Sequence, residues 1–335
     1  MVNISVIVAT LNRKNYLAQC LEALMNQTYR DFEIIVVDGG STDGTCELVQ
    51  NFPVKLVMQD GRCIPNAENC GVMAARGHVL TFTDDDAIAP ENWLREIAQT
   101  YADFCADGVG GALIDLGPPR QTPKSPSPYL KLLVWLLDGI FSSIVCENKC
   151  LNTGLILRSG QLTENFVPHL PNCIPVDHLY GCNMSFRRAV FEAVGLFDEV
   201  YDHTAFRFET EFCLRARAKG FKLVYNPRAF VYHQSSKHTS RPEGERLGRA
   251  TFSNMTNDVL FVLRSRKNIP RFSWIRFAVR QMLQFEKYLR LAIRRGDIAY
   301  LHGLTGMLHG IRVWNSNRQN RAGQWKCNAV EDLPL

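Results

Sequence analysis

Over its first 115 residues the chain alternates short apolar runs with amphipathic stretches. Ile4–Ala9 is apolar except for Ser5 and closes on Thr10-Leu11-Asn12-Arg13. Phe32–Val37, Val54–Met58 and His78–Thr83 are further β-favouring runs, with another near Val109–Ile114. Between the first two, Tyr16, Leu17, Cys20, Leu21, Leu24 and Met25 recur at the helical period, which predicts a helix. Helices are also expected around Ala67–Ala75 and Trp93–Phe104. Strands that are apolar throughout, rather than alternating, are buried on both faces. Strand–helix–strand order therefore predicts an α/β fold with a mostly parallel central sheet and helices on both faces.

The polar residues of these strands gather at their C-terminal ends. These are Thr10, Asn12 and Arg13; then Asp38 and the loop Gly39-Gly40-Ser41-Thr42-Asp43-Gly44-Thr45; then Asp84-Asp85-Asp86. In open α/β sheets ligands bind outside the carboxyl ends of the strands. Three adjacent carboxylates repel one another and need a cation, hydrogen-bond donors or open water. The alternative is a solvated acidic turn ahead of a helix at Pro90. The glycine-rich loop is not GxGxxG, so a dinucleotide fingerprint is absent. An aspartate at a strand end, such as Asp38, suits a ribose hydroxyl or a base N–H, although Asp38-Gly39-Gly40 also reads as a plain turn.

Beyond residue 116 the pattern weakens into a Pro/Ser-rich loop. Tyr129–Phe141 is strongly apolar but too short to span a bilayer. A core helix is the favoured reading, with a helix in the membrane interface or along an apolar acceptor groove as the alternative. Tyr180–Arg188 precedes a short helix and Gly195-Leu196-Phe197-Asp198, and a second helix from Phe206 ends at Gly220. Phe221–Tyr225 and Ala229–Tyr232 read as strands closing on His233. Glu209 and Glu211 are two apart, so they diverge by about 200° on a helix and only one faces any given site. Helices follow at Met255–Arg264, Trp274–Arg295 and Tyr300–Trp314, with Arg276, Arg280, Lys287, Arg290, Arg294 and Arg295 interleaved among apolar residues.

Composition adds limits. The chain has 335 residues, 46% hydrophobic and 21% charged, as in ordinary globular proteins. No basic segment precedes Val2–Thr10, so a signal peptide is not expected. Eleven scattered cysteines without a CxxC pair point to reduced thiols and a cytoplasmic location. The net charge of +5 divides unevenly: residues 241–335 hold seventeen Lys/Arg against seven Asp/Glu. That basic, amphipathic end suits a peripheral position on an anionic membrane, or helices packed on the sheet with a solvated basic face. Nucleic acid is not expected as a partner, because no recognised module accompanies the charge.

A strand–TxNR loop, VVDGGSTDGT, a strand ending in TDDD, then GxNMSFRR, GLFDE, ETEFxLRxRxxG and YNPxAxVYH follow in order over residues 3–235. In this order and spacing the chain resembles the family 2 glycosyltransferases, with 116–178 unmatched. The resemblance implies a GT-A fold and inverting transfer of a sugar from a nucleotide diphospho-sugar, with Mn²⁺ or Mg²⁺. It implies a catalytic region 1–240, comprising a nucleotide-binding half 1–115, a variable insert 116–178 and an acceptor half 179–240. Residues 241–335 then form a helical C-terminal region. By the same resemblance Asp84 and Asp86 are metal ligands and His233 completes the set. Thr10, Asn12, Arg13, Asp38 and Asp43 fall at nucleotide contacts, and Asp85 lies by the ribose or sugar.

Two departures stand out. The family's catalytic base is usually an aspartate, and the register places Glu209 there, with Glu211 as the alternative. Glu68 stands where many relatives have arginine, so Arg62 is the candidate to bring positive charge to the pyrophosphate. The implied acceptor is a saccharide or lipid-linked glycan precursor. Two other readings stay open: a nucleotidyltransferase, although no GxGTR-like loop follows the first strand, and a catalytically idle nucleotide-sugar-binding protein at a membrane surface.

Overall fold

The computed structural model describes residues 3–61, 63–117, 152–201, 204–234 and 243–319. Arg62 and the apolar run 129–141 lie outside the described residues.

Four parallel strands form the N-terminal side of the sheet: β1 (Ile4–Thr10), β2 (Phe32–Asp38), β3 (Lys55–Met58) and β4 (Val79–Asp84). The helices α1 (Lys14–Met25), α2 (Thr45–Val49) and α3 (Ile64–Ala74) connect them. A two-residue strand β5 (Ala87–Ile88), α4 (Trp93–Phe104) and β6 (Gly108–Asp115) follow. Then come the hairpin β7 (Thr153–Ile156) and β8 (Leu162–Glu164), and β9 (Ile174–Pro175). The remaining core elements are β10 (Asn183–Arg187), α5 (Arg188–Val194), α6 (Phe208–Ala218) and β11 (Leu223–His233). The nine-stranded sheet runs β3-β2-β1-β4-β10-β6-β11-β5, with β9 paired to β11.

Successive strand residues face opposite sides, and the two sides bury separate cores. Ile7, Ile35, Val37, Leu80 and Phe82 join one core, while Val6, Val8, Ile34, Val36 and Val79 join the other. The uninterrupted apolar runs follow from this double burial. One sequence expectation needs refinement, because β10 runs antiparallel to both β4 and β6. That reversal sets its N-terminal end, with Gly181 and Cys182 just before it, beside the carboxyl end of β4.

The C-terminal helices are α7 (Glu243–Ser265), α8 (Trp274–Arg295) and α9 (His302–Gln319). Val259, Phe261 and Val262 of α7 and Phe277 of α8 enter the first core beside Phe208 and Phe212. The C-terminal region therefore shares the catalytic region's core. Helices α7 and α9 approach closely at Gly306, where a Cβ would stand 2.3 Å from the carbonyl oxygen of Phe252. Only glycine permits that distance. Among the described residues no helix is long and apolar enough to cross a membrane.

Candidate active site

Strands β4 and β11 are separated in the sheet by β10 and β6, three inter-strand spacings or about 14 Å. The chain closes this gap by leaving β4 through Asp85-Asp86 and running back along the end of β11 as β5. His233 pairs with Ala87, and the Gln234 N–H donates to the Asp86 carbonyl at 2.9 Å. The acidic triplet and His233 are brought together by this crossing.

His233 Nε2 lies 3.1 Å from Asp86 Oδ1 and 3.4 Å from Asp84 Oδ2. One ligand atom from each of Asp84, Asp86 and His233 falls within a 4.8 Å span. Hydrogen bonds to the two carboxylates raise the imidazole's pKa to about 10. Burial opposes ionisation of Asp86, but His233 and Arg13 outweigh it and hold the carboxyl below its usual range. A protonated imidazole thus sits where two carboxylates converge, and a divalent cation would replace its proton. Two carboxylate oxygens and one imidazole nitrogen fit Mn²⁺, and the carboxylates also suit Mg²⁺.

Asp85 is the inner member. Its carboxylate accepts from Thr10 Oγ1 at 2.8 Å and from the Arg13 guanidinium at 2.5 Å. Burial raises its pKa to about 6 against the pull of Arg13 and Thr10. Arg13 also reaches Asp86 at 3.1 Å, so one cation serves two carboxylates. Asp38, fully buried at the end of β2, accepts from the Gly40 and Ser41 N–H groups at 2.8 and 2.7 Å through Oδ1. Its Oδ2 has no hydrogen-bond partner.

Asn12 and Asp43 do something different. Asn12 adopts a left-handed φ of 53°, and its Oδ1 accepts from the Thr42 N–H at 2.8 Å. Asp43 accepts from the Lys14 N–H at 3.0 Å and from the Thr45 N–H at 3.1 Å. Both side chains are spent on shaping the two loops.

The two glutamates of α6 part as the helical angle requires. Glu211 is bound by the Arg215 guanidinium at 2.9 Å, and Arg215 also donates to the Val194 and Leu196 carbonyls. Glu211 thus anchors the Gly195–Asp198 turn. Glu209 is half-buried, its Cγ lying against Gly181 beside β10. Desolvation raises its pKa to about 7, helped by Glu164 and Asp84 and opposed by its own backbone N–H and Arg207. Gly181 just precedes β10, whose Asn183 pairs with Thr83 next to Asp84, so Glu209 lies on the side of the metal-capable rim. A carboxyl poised near neutrality is suited to accept a proton.

Sequence reasoning missed a network beneath Glu209. Arg207, at the start of α6, has a φ of 80°, a strained backbone for a bulky residue. Its buried guanidinium donates to Glu164 at 3.0 Å and to Asp258 of α7 at 3.1 Å, and Arg280 of α8 binds the other oxygen of Asp258. Arg280 therefore leaves the basic surface set in which the sequence placed it. The spacing of Glu211 and Arg215 was a legible helical signal, whereas pairing Arg207 with residues 51 and 43 positions away was not.

A sheet of this order, with a metal-capable acidic rim beside a glycine-rich loop, defines a GT-A type of site. The chain belongs to Glycosyl transferase family 2, whose sequence model matches residues 5–195. Glycosyltransferase GlyG of Streptococcus pneumoniae is 36% identical over 118 residues, 32% of this chain and 38% of that relative. The chain thus spans well under half of that relative's length. A glucosyl-dolichyl phosphate glucuronosyltransferase of Haloferax volcanii is 25% identical over 244 residues, 69% of each chain. Among solved structures, the mannosyltransferase PcManGT of Pyrobaculum calidifontis, in complex with GDP-Man and Mn²⁺, matches with a TM-score of 0.54 and 18% identity. That match covers 95% of this chain and 80% of the other.

Proposed function

We propose that the protein transfers a sugar from a nucleotide diphospho-sugar to an acceptor hydroxyl in glycan assembly, with inversion at the anomeric carbon. The observation carrying this reading is the convergence of Asp84, Asp86 and His233 on one span of 4.8 Å, on the same side as Glu209. Asp84, Asp86 and His233 would hold a divalent cation, Mn²⁺ or Mg²⁺, which would supply positive charge to offset that of the departing diphosphate. Asp38 and Thr10, with the loops shaped by Asn12 and Asp43, receive the nucleoside, and Arg13 keeps Asp85 and Asp86 ionised. Glu209 takes the acceptor's proton as the acceptor oxygen bonds to the anomeric carbon. On the opposite face the bond to the diphosphate breaks, and its electron pair leaves with that group. Glu211, committed to Arg215, is not the base.

The test is a titration of UDP, GDP and dTDP with and without Mn²⁺. Wild-type protein binds one of them in a Mn²⁺-dependent manner, while Asp86→Ala and His233→Ala lose that dependence. Equal Mn²⁺-dependent binding by the variants would remove the metal assignment.

The acceptor is carried on lipid at the cytoplasmic face of a membrane, and α8 supports this. Ile275, Met282, Phe285, Leu289 and Ile293 recur at helical spacing and are 76%, 59%, 48%, 40% and 75% exposed. Lys287, Arg294 and Arg295 are exposed on the same helix. An apolar stripe edged with cations suits an anionic bilayer surface. Ile275→Glu with Ile293→Glu lowers co-sedimentation with phosphatidylserine liposomes; unchanged sedimentation would retire the membrane contact.

A further inference from the structure

Glu68 is a buried carboxyl that the proposed chemistry leaves unused. It lies on α3, is 7% exposed, and its Oε2 has no hydrogen-bond partner among the described residues. Stranding such a group away from water is costly, so an orphan carboxyl beside a site calls for a ligand.

Its direction is set by packing. Gly71, one helical turn further along α3, lies against Ile7 of β1, where a Cβ would stand 2.4 Å from the isoleucine side chain. Helix α3 runs against the strands it connects, so Glu68 sits one turn closer to the carboxyl rim. At that rim Ala9 of β1 pairs with Asp84. The rotation of α3 is pinned from its other side. Asn69 donates to the Phe197 carbonyl at 3.0 Å and accepts from the Phe197 N–H at 3.0 Å, and Asn66 and Asn69 both donate to Glu199. Glu68 is thereby held on the sheet side, toward the rim. Burial raises its pKa well above the ordinary range, with Asp84 and Glu209 adding to the effect. The carboxyl thus lies toward the end of the sheet where β4 carries the metal-capable rim, while Glu209 stands against Gly181 at the start of the neighbouring β10. In the proposed reaction the transferred sugar lies between those two groups.

We propose that Glu68 is a specificity-determining residue of the donor site, which hydrogen-bonds a hydroxyl of a neutral hexosyl group and excludes hexuronosyl donors. This inference rests on the glycosyl-transfer reading above. A carboxyl oxygen accepts from a hydroxyl, so a neutral sugar satisfies the stranded oxygen. A uronate carboxylate would instead be brought among the carboxyls of Glu68, Asp84 and Glu209, where like charges repel it.

The experiment uses the full chain with Mn²⁺ and the glucosyl and glucuronosyl esters of whichever nucleoside diphosphate binds. The readout is release of that diphosphate with water as acceptor. Wild-type protein favours the glucosyl ester, and Glu68→Gln lowers its kcat/KM by about tenfold or more. The affinity of Glu68→Gln for the free nucleoside diphosphate stays unchanged, which a merely structural lesion would not leave intact. Glu68→Arg shifts the preference toward the glucuronosyl ester. Wild-type turnover of the two esters at similar rates would overturn the proposal without any variant, as would a Glu68→Gln enzyme with an unaltered donor ratio. Failure of the wild-type protein to bind any nucleoside diphosphate would instead defeat the glycosyl-transfer reading on which the proposal rests.

Discussion

Two clusters of partly buried charged groups lie near Glu209, and they are built on opposite principles. Beneath it, Arg207 and Arg280 meet Asp258 and Glu164, so two cations answer two anions within the chain. Above it, Asp84, Asp85 and Asp86 are served by Arg13 and His233, while Glu68 and Glu209 add further carboxyls. The first cluster is complete and welds α7 and α8 to the start of α6, where the backbone of Arg207 needs holding. Among the described residues the second carries more acid than base. Balanced buried charge marks construction, and unbalanced buried charge marks a place for a ligand.

The comparison breaks most sharply at the base. Glu209→Gln should lower kcat by about 10²–10⁴-fold, measured by diphosphate release, with nucleoside diphosphate affinity unchanged. In the wild-type enzyme kcat should fall as the pH drops through about 7, since the protonated carboxyl cannot accept a proton. Glu211→Gln should instead keep kcat and lower the melting temperature, because it frees Arg215. Reversed outcomes for the two variants would pass the role to Glu211.

A smaller contrast, in free energy of folding, sets the two clusters directly against each other. Asp258→Ala strands Arg207 and Arg280 and should cost about 3–5 kcal/mol in urea unfolding. Asp85→Asn removes a carboxylate whose ionisation burial opposes and should leave stability within about 1 kcal/mol of wild type, or raise it. Equal losses in the two variants would erase the distinction between a structural and a ligand-binding cluster.

Much of the site was legible because its parts are local. An apolar strand running into Asp84–Asp86, or into Asp38 and glycines, can be read within ten residues. The periodicity already showed that Glu209 and Glu211 face different ways. The same reading placed Asn12 and Asp43 among donor contacts; what it did not show is that their side chains also close the loops on the Thr42, Lys14 and Thr45 N–H groups. Composition alone cannot separate a polar side chain that binds from one that caps a turn. Arg280 looked like one more surface cation until its partner on α7 was seen.

By itself, then, the sequence determined the strands, their double burial and the acidic rim, because hydrophobic period and strand-end chemistry are properties of neighbouring residues. Only the tertiary structure decided that His233 meets Asp86 and that Glu209 faces the rim. It also decided that Glu68 is stranded behind that rim. Each depends on groups far apart in the chain, brought together by a strand that reverses, a turn that crosses the sheet and helices pinned by buried hydrogen bonds.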